Sequence, residues 1–531
     1  MFAFGTPRWQ NTWQPLPVSP SSPGRCLLDT VTGPVSPEHR DPATGLAREA
    51  IGLREVLFQS ITHMAPAAAV AFSIIAGAQY AGGALPLAVL IALVGCVCVA
   101  FTIGEFARYL PSAGGMYTYS ARGLHPAVGF LVAWGYAFVE PLVAPVLYLI
   151  FGIVMAGTLA SEFSCSICRA DQWWIWSTVA ALLVFVLGYL GIQISTRAGT
   201  LLGLFEIAVF GAVSLWLIAK ADHNTFKVFT TSAATAEGFS GLRGVFAGSI
   251  YTILAFIGFE AAAPLAEEAR DPRRTIRRAV IYSAVGIGAF YVLTTYAATV
   301  FFGPSKMPGF AGFNNGDPWT GLAKIVWGGA WVLVFLAILN SAVANSNAGA
   351  NATTRTWYAM GRIRLIPPVF TRIHPLWRSP YIAVFGQLIV GLGVALPLGF
   401  LFQPLPAFIL IATMATAVIV LIYITVNLAA IRFFLTQHRD QFNPVRHLVV
   451  PLIGIAFFVP AFLTAMGIRA FSFVVRLSGP ARFTGLVVGI WLLLGVLYLL
   501  YLYVRQSERV ANTGRIFVDE PHGAVEAPGA T

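Results

Sequence analysis

From residue 54 to residue 505 the chain is a succession of apolar runs joined by short polar connections. The runs fall near 54–79, 85–109, 127–159, 173–191, 199–219, 243–267, 279–302, 327–358, 380–401, 404–433, 447–469 and 483–505. Each is close to the ~20 residues that a helix needs to cross a bilayer. In hydrocarbon every backbone N–H and C=O must be satisfied inside the structure, which leaves helices as the solution for runs of this length. The fold class expected is therefore all-α membrane, with about twelve transmembrane helices. Composition agrees: charged residues make up 10% of the chain, against about 25% in a soluble domain.

The formal charge of +11 invites a nucleic-acid reading, but a nucleic-acid face is a continuous basic surface. Here the basic residues sit in short connections between apolar runs, so no nucleic-acid partner is expected. With the N-terminus inside, 24 of the 33 basic residues fall on the inner side, all of them arginine. That asymmetry orients the chain with a cytoplasmic N-terminus. An even number of spans then puts both termini in the cytoplasm and the protein in the cytoplasmic membrane. Residues 1–50 are rich in Pro, Ser and Gly, without apolar periodicity or a signal-peptide core, and read as a disordered tail. Residues 506–531 read as a cytoplasmic C-terminal tail. Cys96 and Cys98 lie inside an apolar run as small packing residues, whereas Cys165 and Cys168 form a C-x-x-C without a second pair. No cofactor or metal is expected.

Two runs are interrupted. In Ile61-Thr-His-Met-Ala-Pro-Ala-Ala-Ala-Val70 the proline removes one backbone bond and clashes with the preceding turn, so the helix should open mid-membrane. In Ala255-Phe-Ile-Gly-Phe-Glu260 a glycine and a carboxylate stand where a continuous span would have neither. The interrupted runs begin alike, Leu53-Arg54 and Leu242-Arg243, and their starts are separated by five spans. An odd number reverses direction through the membrane, giving two inverted units at about 53–219 and 243–433, with two further helices at 447–505. Paired interrupted helices point to the substrate site of a secondary transporter. Freed N–H groups around Ala67, Ala68 and Ala69 suit a carboxylate. Freed carbonyls near Ala65 and Phe256 suit an ammonium group or a cation. The expected substrate-binding set is Ala65, Pro66, Ala67, Ala68, Ala69, Phe256, Ile257, Gly258 and Phe259, with Trp134 as a wall. The competing reading is a pair of kinks that only pack helices.

Other segments carry a family resemblance. Gly104-Glu-Phe-Ala-Arg-Tyr-Leu-Pro-Ser-Ala-Gly-Gly-Met-Tyr-Thr-Tyr119 resembles the loop after the second helix of amino acid–polyamine–organocation permeases. Ala255–Glu260, followed by Ala266-Glu-Glu-Ala-Arg-Asp-Pro-Arg-Arg-Thr-Ile276, is similar to that family's sixth helix and following loop. Arg355-Thr-Trp-Tyr-Ala-Met-Gly361, with Pro367 and His374-Pro375, resembles the end of its eighth helix. The resemblance covers roughly residues 50–505. It implies a LeuT-like fold of two inverted five-helix repeats plus two helices, substrate at broken helices 1 and 6, and alternating access driven by a proton or sodium gradient or by exchange. The chain departs from the family at Met64-Ala-Pro-Ala-Ala-Ala69, where many relatives are glycine-rich, and at Thr275-Ile-Arg-Arg278. Glu206 stands where some proton-coupled relatives have lysine, so a lysine mechanism does not carry over.

Ionisable residues inside spans are functional candidates. Glu260, Glu140, Glu206 and His63 are the expected ion-coupling or gating residues; the structural alternative is a bond to freed backbone N–H groups for Glu260 and a helix–helix bond for the other three. Asn340, Ser341, Asn345, Ser346 and Asn347 give the eighth run a polar interior that suits helix association, a cavity wall or a sodium site. Deep carboxylates outnumber deep basic groups, which favours a zwitterionic or cationic substrate. A membrane enzyme is disfavoured, because neither H-E-x-x-H nor G-x-S-x-G is present. An ATP-driven pump lacks its phosphate loop, and a channel lacks its filter repeat. A sensor on the same scaffold is the remaining alternative to a permease of amino acids or related amines. The partners expected are a small-molecule substrate, a proton or sodium ion and the lipid bilayer.

Overall fold

The computed structural model describes residues 51–112, 114–163, 169–222, 224–472, 474 and 477–514, with backbone alone for 192–199. Among them twelve helical segments are long and apolar enough to cross a membrane. They are Leu53–Ala76, Ala78–Tyr109, Pro126–Glu162, Ala170–Tyr189, Thr200–Lys220, Leu242–Leu265, Pro272–Phe302, Pro318–Arg362, Tyr381–Phe402, Pro404–Thr436, Val445–Met466 and Gly479–Arg505. In that order they are spans 1 to 12. The expected tail at 1–50 and the Cys165/Cys168 pair lie outside the described residues.

Most spans begin and end where composition says they should. Span 3 starts at Pro126, whose missing N–H costs nothing in a first turn, and His125 Nδ1 accepts the Ala127 N–H at 3.2 Å. It then runs through Pro141 and Pro145 to Glu162 without a break. The eighth run differs from expectation. A separate helix, Pro318–Trp327, precedes the long helix Trp331–Arg362. Asp317 caps it by accepting the Thr320 N–H at 3.3 Å, so the start signal was the Asp-Pro pair. The C-terminal segment is not wholly a tail either. Ser507–Ala511 is helical, and buried Thr513 donates to the Pro126 carbonyl at 3.1 Å, fastening the end of the chain to the start of span 3.

Burial sorts the spans into layers. In spans 1 and 6 the apolar windows are 89% buried within the protein, whereas in span 12 the figure is 22%. The two broken helices are therefore wrapped by the others, and the outer spans carry exposed apolar residues such as Leu486, Leu493 and Val504. Members five spans apart pack along one another, span 7 on span 2 and span 8 on span 3. Small residues set the closest approaches. A Cβ at Gly77, between spans 1 and 2, would lie 2.8 Å from the Gly248 carbonyl of span 6, and one at Gly248 would lie 2.8 Å from Ala81 Cβ. Such contacts let helix backbones meet directly, as small residues do in membranes.

Candidate functional site

Span 1 breaks after His63. Met64 closes the first helix, and Ala65 adopts the left-handed region, φ 50° and ψ 65°. A residue with a Cβ is disfavoured there by ~1–2 kcal/mol. Pro66 restarts the helix. Span 6 breaks after Phe256, where Ile257 is extended and Gly258 has φ 122°. A tight turn of helix, Phe259–Leu265, follows. The two breaks touch. A Cβ on Gly258 would sit 2.7 Å from the carbonyl carbon of His63, and Ser60 Oγ donates to the Phe259 carbonyl at 2.9 Å. Interruption and glycine thus serve one purpose, bringing two backbones into contact at the centre of the fold.

The freed backbone groups have partners, and the partners differ from the expectation. The Ala67 N–H donates to Glu206 Oε2 of span 5 at 3.0 Å, and the Ala68 N–H donates to Ser341 Oγ of span 8 at 3.1 Å. The Ala69 N–H donates to the Ala65 carbonyl at 2.7 Å. All three amides expected to receive a substrate carboxylate are occupied by groups of the protein itself. On the acceptor side, the Tyr291 hydroxyl of span 7 lies against two freed carbonyls, that of Met64 and that of Ala255 at 3.0 Å. One hydroxyl proton faces two acceptors, so the pair of breaks retains spare acceptor capacity. The Tyr291 ring also stands edge-on to Phe256 at 5.3 Å.

The deep acidic residues gather around this point. Glu206 is fully buried and has Oε1 without a hydrogen-bond partner among the described residues. Glu260 is buried, with Oε2 accepting the Gly258 N–H at 3.0 Å, so it helps to cap the break as well as lying beside it. Glu140 is close enough to Glu260 for the two carboxyls to act on each other, and its Oε2 is unpartnered. Tyr136 and Tyr423 stand beside this pair, and Tyr423 also packs its ring 5.5 Å from Phe259. His63 is buried between Gly258 and Gly349, and neither ring nitrogen has a partner among the described residues. The helix–helix bond weighed for it is not formed. Asn345 Oδ1 is likewise buried and unpartnered, and Asn340 instead turns to the Leu202 carbonyl at 3.0 Å.

One expected wall is elsewhere. The Trp134 indole stacks on Trp491 of span 12 at 4.6 Å, and the two exchange hydrogen bonds from ring N–H to backbone carbonyl at 2.8 and 3.1 Å. Gly495 gives it room. Trp134 therefore faces the outer layer and is corrected from a substrate contact to a clamp between spans 3 and 12. Conversely, Tyr291, Tyr136 and Tyr423 were missed. A tyrosine in an apolar helix was the available signal.

Charge pairs close the face that carries the arginine-rich loops. Arg355 of span 8 is fully buried and pairs with Glu268 at 3.3 Å, with Asn351 and Thr354 completing its donors. Arg362 pairs with Glu267 at 2.7 Å. Ile51, just before span 1, forms a parallel bridge with Ala269, through Ile51 N–H to the Glu268 carbonyl at 3.2 Å and Arg270 N–H to the Ile51 carbonyl at 2.9 Å. Beyond the break, buried Trp319 donates to the Val70 carbonyl of span 1 at 3.2 Å. Both halves of the broken helix are thus tied to neighbouring segments.

Comparison with known proteins gives a consistent result. Residues 51–504 match the amino acid permease family. The chain is similar to the low-affinity putrescine importer PlaP of Escherichia coli K12, 25% identical over 428 residues, which are 77% of this chain and 86% of the importer. It is also similar to the branched-chain amino acid permease BcaP of Bacillus subtilis, 26% identical over 369 residues, 65% of this chain and 75% of that one. The glutamate/serine transporter AimA of Bacillus subtilis is 27% identical over 337 residues, 59% of each chain.

Proposed function

The chain belongs to the amino acid permease family, and on that premise we propose that it is a secondary active transporter working by alternating access around the breaks in spans 1 and 6. It is a multi-pass integral membrane protein, a transporter of amino acids or amines and not an enzyme. The observation that carries the reading is the meeting of the two breaks, where one Tyr291 hydroxyl serves a freed carbonyl from each. A helix interruption in the membrane is tolerated where protein or a water-lined cavity covers it, and interruptions in two helices at one point are what a midplane transport site requires.

In this reading the substrate lies against Ala65–Ala69 and Phe256–Phe259, and Glu260, Glu140, Glu206 and His63 carry coupling or gating. The buried Arg355–Glu268 pair and the Trp319–Val70 hydrogen bond support reading this arrangement as an occluded stage of the cycle. Residues 53–219 and 243–433 form the inverted repeats, supported by the packing of span 2 on span 7 and of span 3 on span 8. The arginine asymmetry of the connections supports a cytoplasmic-membrane location with both termini inside. A proton or sodium gradient supplies the driving force.

Purified protein in liposomes, given labelled amino acids of each charge class and an amine under imposed proton or sodium gradients, tests the proposal. Accumulation that collapses when one gradient is removed is the expected result. Movement only into preloaded liposomes would make the protein an exchanger. Absence of any substrate movement by folded protein would overturn the transporter cycle in favour of a sensor.

A further inference from the structure

Resting on the permease reading, we infer that the substrate is an amine without a carboxylate, best matched by a diamine with a cationic group at each end. The first reason is occupancy of the donors. A substrate carboxylate needs N–H groups, and those released by the span 1 break are bonded to Glu206 Oε2, Ser341 Oγ and the Ala65 carbonyl at 3.0, 3.1 and 2.7 Å. Glu206 itself holds the position in which an amino acid would put its own carboxylate. To bind there, an amino acid would have to displace a buried carboxyl from its donor and then lie beside it, with two like groups in one low-dielectric site.

The second reason is independent and concerns the acceptors. Around the breaks, Glu206 Oε1, Glu140 Oε2 and Asn345 Oδ1 are buried without hydrogen-bond partners among the described residues. One Tyr291 proton is shared by the Met64 and Ala255 carbonyls. The charged neighbour that acts on Glu140 is Glu260, and Arg355 is engaged by Glu268, Asn351 and Thr354. An ammonium group carries three donors and no acceptor. The site offers it two acidic stations, Glu206 with the Met64 and Ala255 carbonyls on one side and the Glu140–Glu260 pair with Tyr136 and Tyr423 on the other. A linear diamine places one ammonium at each. The apolar surfaces of Phe256 and Phe259, both buried at the break, suit the methylene chain between them.

The test uses the full chain in proteoliposomes with labelled putrescine, leucine, lysine and glutamate, and ligand-induced shifts of melting temperature in detergent as a second readout. Saturable putrescine uptake that excess leucine, lysine and glutamate leave intact is expected. Glu206→Gln keeps an oxygen for the Ala67 N–H and removes the charge, so putrescine uptake should fall roughly tenfold or more while the unliganded melting temperature holds. Uptake of leucine, lysine or glutamate at rates matching putrescine would overturn the inference and leave the permease reading standing. Full putrescine uptake by Glu206→Gln would overturn the role of Glu206 and the inference with it. Neither uptake nor a melting shift from any of the four would overturn both readings.

Discussion

Two residues at the breaks make opposite demands on a single methyl group. Ala65 carries a Cβ in the left-handed region, φ 50°, where glycine is at no disadvantage. Ala65→Gly should therefore be tolerated and should raise the melting temperature in detergent, since it relieves about 1 kcal/mol of backbone strain. Gly258 is the reverse case, with φ 122° and a Cβ position 2.7 Å from the His63 backbone. Gly258→Ala should abolish uptake and lower the melting temperature, because alanine must either distort the turn or push span 1 away. A Gly258→Ala protein that transports normally would remove the contact of the two breaks from the mechanism. The positions of both breaks were legible in the sequence, because Pro66 and Gly258 break helices by local chemistry. The identity of the groups that complete them was not. Glu206 lies 139 residues from Ala67 along the chain, and the Tyr291 hydroxyl meets Met64 across 227. Separations of that order leave no local pattern to read.

At the scale of elements, Tyr291 joins three helices through one oxygen. Tyr291→Phe keeps the ring edge-on to Phe256 and removes the donor shared by the ends of the two broken helices. Each buried carbonyl left without a partner costs on the order of 1–3 kcal/mol. The expected outcome is a clear drop in melting temperature, together with uptake reduced more than the loss of folded protein explains. Equal uptake per folded molecule would make Tyr291 a structural strut alone. The run lengths gave all twelve spans in outline, since ~20 apolar residues have one solution in a bilayer. They left out Pro318–Trp327, a short helix that lies before the eighth run at 327–358 and is too short to cross a bilayer alone. The same limitation misplaced Trp134, because composition reveals that an aromatic lies in a span but not which neighbour it faces.

At the scale of the molecule, the proposed closure of the arginine-rich face rests on the pairs Arg355–Glu268 and Arg362–Glu267, whose charges the sequence placed in one loop and one helix end without showing which would pair. Losing one partner of a buried pair leaves an uncompensated charge, at a cost of about 3–5 kcal/mol, whereas replacing both with apolar residues is often neutral. The double variant Arg355→Met/Glu268→Met should therefore fold and lose its lock. Cys96 reports on this, being buried in span 2 and within electrostatic reach of Glu260. With the other four cysteines replaced by serine, a maleimide should label Cys96 faster in the double variant than in its parent. An unchanged rate would mean that the pair holds the fold and does not gate it. The spare acceptors at the breaks have a kinetic consequence for such a machine. In the proposed cycle an unloaded molecule would swing its uncompensated oxygens through low-dielectric surroundings, while a loaded one would move them neutralised. The unloaded return would then be the slow leg, and flux would respond most steeply to the concentration of cargo waiting on the opposite side.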